Sequence, residues 1–256
     1  MAPFSLLLTV AGTLLSTASS SFAAPRTSLW PRTEAAVSGS SHGNVTAGTF
    51  EWHACPKSIN STLFTCGTFQ TPLDHLNITD GRLATLAFAR LSARNPSTGA
   101  LTPRSSVLGT LLINPGGPGT PGVSFLTTPH SSAPGGQTYA ERFNDITAGR
   151  YDIASWDPRG VGASWPTSDC WSGRWDAYRI SSTVADAFGS YDGERSGERQ
   201  AAEILSQWEL MAKLCTHANE TRETMRFVGT VADARDLRLM YRALGDDKLH
   251  YWGFSW

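Results

Sequence analysis

Hydrophobic and polar positions along the chain alternate between two periods. Residues 64–69 (Phe-Thr-Cys-Gly-Thr-Phe) and 71–75 (Thr-Pro-Leu-Asp-His) are β-type, and an Asp80-Gly81 turn separates them from the strand-like run 83–91. A Pro/Ser/Gly loop at 95–105 leads to residues 107–113, Val-Leu-Gly-Thr-Leu-Leu-Ile. That uncharged, mostly aliphatic run predicts a strand buried on both faces, as in a parallel sheet. Residues 151–156 and 248–252 read as two further strands.

Two segments change to a helical period. In 198–215 the residues Ala201, Ile204, Leu205, Trp208, Met211, Ala212 and Cys215 recur along one helix face. A second helix is predicted from Thr230, an N-cap with Asp233 three residues on. It carries Leu237, Met240, Tyr241 and Leu244 on one side and stops at Gly245. Strands alternating with helices predict an α/β protein with a mostly parallel, right-handed sheet. No internal repeat is visible.

The first residues follow neither period. Residues 4–15 are apolar and a small-residue tract ends in Ser21-Phe22-Ala23. The stretch is too short to span a bilayer and predicts a secretory signal peptide over 1–23. Residues 24–48 are Ser/Ala/Thr/Gly-rich and predict a flexible leader, which leaves 49–256 for the folded domain. Four sequons, at Asn44, Asn60, Asn77 and Asn219, are candidate N-glycan sites, whereas Pro96 disqualifies Asn95. Four cysteines suit an oxidising compartment and allow three pairings. Cys55–Cys66, closing a small loop, and Cys170–Cys215, tying a loop to a helix, are favoured. These features predict a secreted glycoprotein. The formal net charge of −1, with no basic run, points away from nucleic acid and anionic membranes. The cysteine spacings match neither a zinc site nor a redox Cys-x-x-Cys, and no metal or organic cofactor is implied.

Three motifs each follow a predicted strand. Gly253-Phe254-Ser255-Trp256 closes the sequence and supplies four of the five positions of the Gly-x-Ser-x-Gly nucleophile turn of α/β-hydrolases. Such a turn lifts a serine hydroxyl clear of the sheet edge. Residues 114–119, Asn-Pro-Gly-Gly-Pro-Gly, follow the aliphatic strand. Bare glycines there would let backbone N–H groups meet a developing oxyanion, with Gly117 and Trp256 as the two donors. Residues 157–164, Asp-Pro-Arg-Gly-Val-Gly-Ala-Ser, follow the strand at 151–156, and Asp157 and Arg159 are expected to brace the surrounding loops. All three fall at the edge where open α/β sheets place their sites.

On these motifs, together with Cys66-Gly67-Thr68, residues 71–75, and Ala243-Leu244-Gly245 before the last strand, the sequence resembles the N-terminal part of secreted α/β-hydrolases of the tripeptidyl-aminopeptidase and prolyl-aminopeptidase type. The resemblance spans roughly residues 50 to 256. It implies a serine exopeptidase that removes short peptides or proline from free N-termini, with Ser255 as nucleophile. The chain order of this fold is Ser, then Asp or Glu, then His. All six histidines precede Ser255, and each reads as a loop or surface residue. The expectation is therefore a fragment or truncated gene model, cut at the nucleophile turn and inactive as written. An ester hydrolase acting on small esters, or a non-catalytic secreted glycoprotein on part of a hydrolase scaffold, are the competing readings. Trp165, Trp171 and Trp175 read as an apolar acyl pocket or as packing around a disulfide.

Overall fold

The computed structural model describes residues 46–117, 119–130, 134–168, 170, 197–217 and 221–255. The expected signal segment, nearly all of the expected leader, Asn44, Asn219, Trp171, Trp175 and Trp256 lie outside the described residues. Six strands are described: β1 Thr49–His53, β2 Phe64–Pro72, β3 Leu83–Leu91, β4 Thr110–Asn114, β5 Asp152–Trp156 and β6 His250–Gly253. They form one sheet in the order β1-β2-β3-β5-β4-β6.

The sheet is mixed, which corrects the expectation of a mostly parallel one. β1–β2, β2–β3 and β3–β5 pair antiparallel, and only β4–β5 and β4–β6 pair parallel. Connection length is the reason. Residues 54–63 and 73–82 are short links that return the chain beside the strand it just left, whereas parallel neighbours need a crossover with a helix. Those crossovers exist only after β4. Helices α1 (Gly122–Thr127) and α2 (Tyr139–Ile146) lie between β4 and β5, and α3 (Gly197–His217) and α4 (Thr230–Ala243) between β5 and β6.

Burial follows from this layering. Every residue of β4 and of β5 is buried. Leu111, Ile113 and Ile153 pack with Val123, Leu126, Ala140 and Phe143 of α1 and α2 on one face. Leu112, Ala154 and Trp156 pack with Leu237 and Met240 of α4 on the other. The aliphatic run begins as strand only at Thr110, since Gly109 has φ +139° and Leu108 is exposed. α2 is fixed at its start by a reciprocal capping box between Thr138 and Glu141.

α3 covers the expected span but buries less of its apolar stripe. Ile204, Met211 and Cys215 are half-buried, while Leu205 and Trp208 are exposed. Both favoured disulfides are formed, Cys55–Cys66 and Cys170–Cys215. The first follows from register: His53 of β1 faces Cys66 of β2, which brings Cys55 alongside. No helix among the described residues is long and apolar enough to cross a membrane. Among them no cluster of three His, Cys, Asp or Glu side chains could hold a metal ion.

Candidate active site

β4, β5 and β6 run parallel, so the segments after Asn114, Trp156 and Gly253 meet at one sheet edge. The strand order also turns there, with β5 on one side of β4 and β6 on the other, a place where α/β sheets open a crevice. A hollow of about 660 Å³ lined by Asn95, Leu101, Leu108 and Arg150 lies at the opposite edge and includes none of these segments.

Ser255 is exposed and has φ +61°, in the left-handed region that a residue with a Cβ rarely adopts. The ladder carries the backbone to that point, because Phe254 N–H donates to the Asn114 carbonyl at 3.0 Å, one step past the last β6–β4 pair. Asn114 is the hinge of the arrangement. Its Oδ1 accepts the Gly116 N–H at 2.8 Å and folds the glycine-rich segment back over the strand end. Gly116 (φ +85°) then lies so close that a Cβ would meet the Phe254 carbonyl oxygen at 2.1 Å and the Ser255 Cβ at 3.0 Å. No side chain is tolerated at that contact. Tyr251 passes over Gly253, where a Cβ would fall 2.6 Å from the tyrosine hydroxyl. Burial raises the Tyr251 pKa above its ordinary value.

Gly117 is exposed, with φ +119°, beside the Gly116 contact. Among the described residues its N–H has no partner. Trp256, the other expected donor, lies outside the described residues.

Asp157 is buried and ties two loops together. Its Oδ1 accepts Val123 N–H at 2.9 Å, at the start of α1, and its Oδ2 accepts Ala163 N–H at 3.0 Å. Burial pushes its carboxyl up to about 6, against the pull of the Ala163, Val123 and Gly122 amides. The 157–164 motif closes on itself through Ser164, whose hydroxyl donates to the Asp157 carbonyl at 2.6 Å and accepts Ala87 N–H of β3.

Arg159 is also buried and organises a larger network. Its Nε and Nη2 form a two-pronged pair with Asp236 of α4, at 2.6 and 2.8 Å. Its Nη1 and Nη2 donate to the carbonyls of Leu73 and Pro72, each at 2.5 Å. Thr71 Oγ1 donates to Asp236 Oδ1 at 2.7 Å, and His75 Nε2 lies 2.7 Å from the same oxygen. This corrects the surface reading of His75, whose side chain is nearly enclosed. Sequence offers only a faint signal for the cluster. Asp233 and Asp236 are i, i+3 neighbours on a helix whose apolar residues already mark its inner face.

Asp233 departs from its expected capping role. The N-cap is Gly229, and Asp233 turns inward to accept the Arg159 backbone N–H at 3.2 Å. Burial, and then the Asp236 carboxylate, push its carboxyl up to about 7. The unfolded chain releases this proton near 3.8, whereas the folded chain keeps it to about 7. Between those values the native state binds more protons, so the contribution is complete below 3.8 and is lost as pH rises. Asp157 adds a slope of the same sign up to about 6, which leaves the interval from about 6 to about 7 to Asp233. Asp233→Asn keeps an acceptor for the Arg159 amide and is expected to flatten the fall in urea midpoint across that interval. Equal slopes in parent and variant would contradict the assignment.

Four other histidines are engaged elsewhere or edge-on to aromatic rings. His53 Nδ1 lies 3.1 Å from the Ala54 carbonyl and His217 Nδ1 lies 2.6 Å from the Lys213 carbonyl. His250 packs edge-on against Tyr151 and His130 against Tyr139. Trp165 bridges to Thr85 of β3 by paired backbone hydrogen bonds.

No family model matches the chain. Curated proteins do. The serine protease Hip1 of Mycobacterium tuberculosis is 32% identical over 210 residues, covering 80% of this chain and 34% of the relative. The tripeptidyl aminopeptidase of Streptomyces lividans is 28% identical over 214 residues, covering 80% of this chain and 33% of the relative. Carboxylesterase B of M. tuberculosis is 34% identical over 140 residues, covering 53% of this chain and 23% of the relative. The chain spans about a third of the length of the first two. Its sheet, flanking helices and sequence relatives fit an α/β-hydrolase-like fold, and the chain is a relative of the peptidases and hydrolases built on it.

Proposed function

We propose that this chain carries the nucleophile side of a serine hydrolase site, in a secreted aminopeptidase that releases short peptides or proline from free N-termini. The left-handed φ of +61° at Ser255, on a turn directly after a parallel strand and against the bare backbone of Gly116, carries the proposal. A turn of that shape holds a hydroxyl above the sheet edge for attack on a carbonyl. In the proposed reaction Ser255 Oγ forms a bond to the scissile carbonyl carbon and gives its proton to a histidine base. The carbonyl oxygen takes the negative charge and is met by the N–H groups of Gly117 and Trp256. Collapse expels the amine leaving group, which takes the proton, and water then releases the acyl group from the serine. The chain order of this fold places the acid and the histidine after the nucleophile. Asp157 and Arg159 act as braces in this scheme, holding the loops from inside. Similarity to a serine protease and to a tripeptidyl aminopeptidase supports peptide bonds as the target. The two disulfides suit an exported protein.

An ester hydrolase is the second reading, favoured by the similarity to carboxylesterase B. Three substrates separate the readings on the protein purified from its source: a tripeptide anilide with a free amine, its N-acetylated form, and a short-chain phenyl ester. The aminopeptidase proposal expects cleavage of the free-amine tripeptide, little of the acetylated one, and fluorophosphonate labelling at Ser255. Equal rates on both peptides, or turnover of the ester alone, would refute it. An unlabelled Ser255 in the secreted protein would leave the non-catalytic glycoprotein.

A further inference from the structure

Two sequons lie within the described residues, Asn60-Ser61-Thr62 between β1 and β2 and Asn77-Ile78-Thr79 between β2 and β3. All six residues are exposed. In each, the threonine two positions on holds the asparagine carbonyl oxygen. Thr62 Oγ1 donates to Asn60 Oδ1 at 2.7 Å, joined by Thr62 N–H at 3.0 Å. Thr79 Oγ1 donates to Asn77 Oδ1 at 2.6 Å. The side-chain nitrogens are left without a partner among the described residues.

A second observation singles out Asn77. Its neighbours Leu76 and Ile78 are 81% and 71% exposed, high values for aliphatic side chains in a short link between two strands. A single exposed leucine needs no explanation. Two flanking a modification acceptor do, and a sugar whose ring faces are apolar is a cover of the right size. The Cys55–Cys66 bridge, which encloses Asn60, belongs to the same oxidising route through which such sugars are added.

We propose that Asn60 and Asn77 carry N-linked glycans, and that the first sugars on Asn77 cover Leu76 and Ile78. The donor is an oligosaccharide joined to a lipid through a diphosphate. The asparagine Nδ2 forms a bond to the anomeric carbon of the first sugar and loses one proton. The bond from that carbon to the diphosphate oxygen breaks, and the lipid diphosphate leaves. No oxidant or reductant is involved, and the proposal does not depend on the catalytic reading of Ser255.

The full chain, expressed with its own N-terminal residues in a eukaryotic secretory host, tests this directly. An amidase that removes N-glycans converts each occupied asparagine to aspartate, and in ¹⁸O-water the new oxygen marks the site. The expected product carries the label at Asn60 and Asn77, and Thr79→Ala removes it from Asn77 alone. An unlabelled Asn77, whether in exported or retained chain, overturns the proposal. The covering role is read from a hydrophobic dye. Asn77→Gln is expected to raise dye binding about twofold, and adding Leu76→Ser and Ile78→Ser to return it to the parent level. Dye binding that stays at the parent level in Asn77→Gln overturns the covering role.

Discussion

Ser255→Ala is expected to lower hydrolytic turnover of the protein purified from its source by on the order of 10⁶-fold, the scale seen when a serine nucleophile is removed. Its effect on stability is expected to be small, about 0.5 kcal/mol or less, because the serine is exposed and alanine keeps the same Cβ in the same turn. Ser255→Gly is the informative companion. A Cβ at φ +61° costs about 1–2 kcal/mol, which glycine removes. Glycine also loosens the unfolded chain, at a cost of about 0.4–1 kcal/mol. The difference is a net gain of roughly 0.5–1 kcal/mol. Both variants should lose activity, and only the glycine variant should unfold at higher urea. Such a split would mean that the turn holds strain for the sake of the hydroxyl. A glycine variant less stable than alanine would show that Ser255 is not strained and would remove the main support for a nucleophile there.

Asp236→Ala is expected to destabilise the full chain by about 3–5 kcal/mol, the usual consequence of stripping one partner from a buried ion pair. Both side chains of the Arg159–Asp236 pair are fully enclosed. Without the carboxylate the guanidinium stays inside, still donating to the Leu73 and Pro72 carbonyls, but with no counter-charge on either prong. Asp236→Asn keeps one acceptor oxygen and should fall between alanine and the parent. Combining Asp236→Ala with Arg159→Met should cost less than the sum of the two, since the second change removes the stranded charge. Added salt should leave the deficit in place, because a pair without solvent access is screened little. Urea unfolding of the four variants decides the matter. A loss below about 1 kcal/mol for Asp236→Ala would mean that the network is dispensable to the fold.

The consequence of that network reaches the sheet edge. Arg159 follows β5, Asp236 sits on α4, and Thr71 to His75 leave β2, so one ion pair fastens three separate segments. Asp157 does the same for the start of α1 and the loop at 163. Loops that carry polar groups at an open edge need such internal anchors, because their own backbones make few ladder hydrogen bonds.

Much of this was legible in the chain, for reasons that differ by element. The uncharged run before Asn114 marks a strand covered on both faces, and β4 is buried throughout. The 3.6-residue recurrence of Leu237 and Met240 marks the inner face of α4, and both are buried. The Gly-x-Ser and Asn-Pro-Gly-Gly motifs mark strand ends through residue types that only tight backbone contacts require. β1 was missed although Phe50 and Trp52 alternate with Thr49, Glu51 and His53, because two apolar positions in a five-residue edge strand, four of whose residues are exposed, make too short a pattern to stand out. α1 and α2 are six and eight residues long, too short for a periodic signal, although Thr138 and Glu141 spell the capping box.

By itself, the sequence determined the two local periods, the strand-end motifs and the kinship with α/β-hydrolases. Each of these is written in neighbours a few residues apart. The inward turn of Asp233, the burial of His75 and the pressing of Gly116 against Ser255 were decided only by the tertiary structure. The Arg159–Asp233 and His75–Asp236 contacts join residues 74 and 161 positions apart. No local pattern encodes such partners, because the free energy that selects them, desolvation of charge balanced by ion pairing, exists only once the layers have closed.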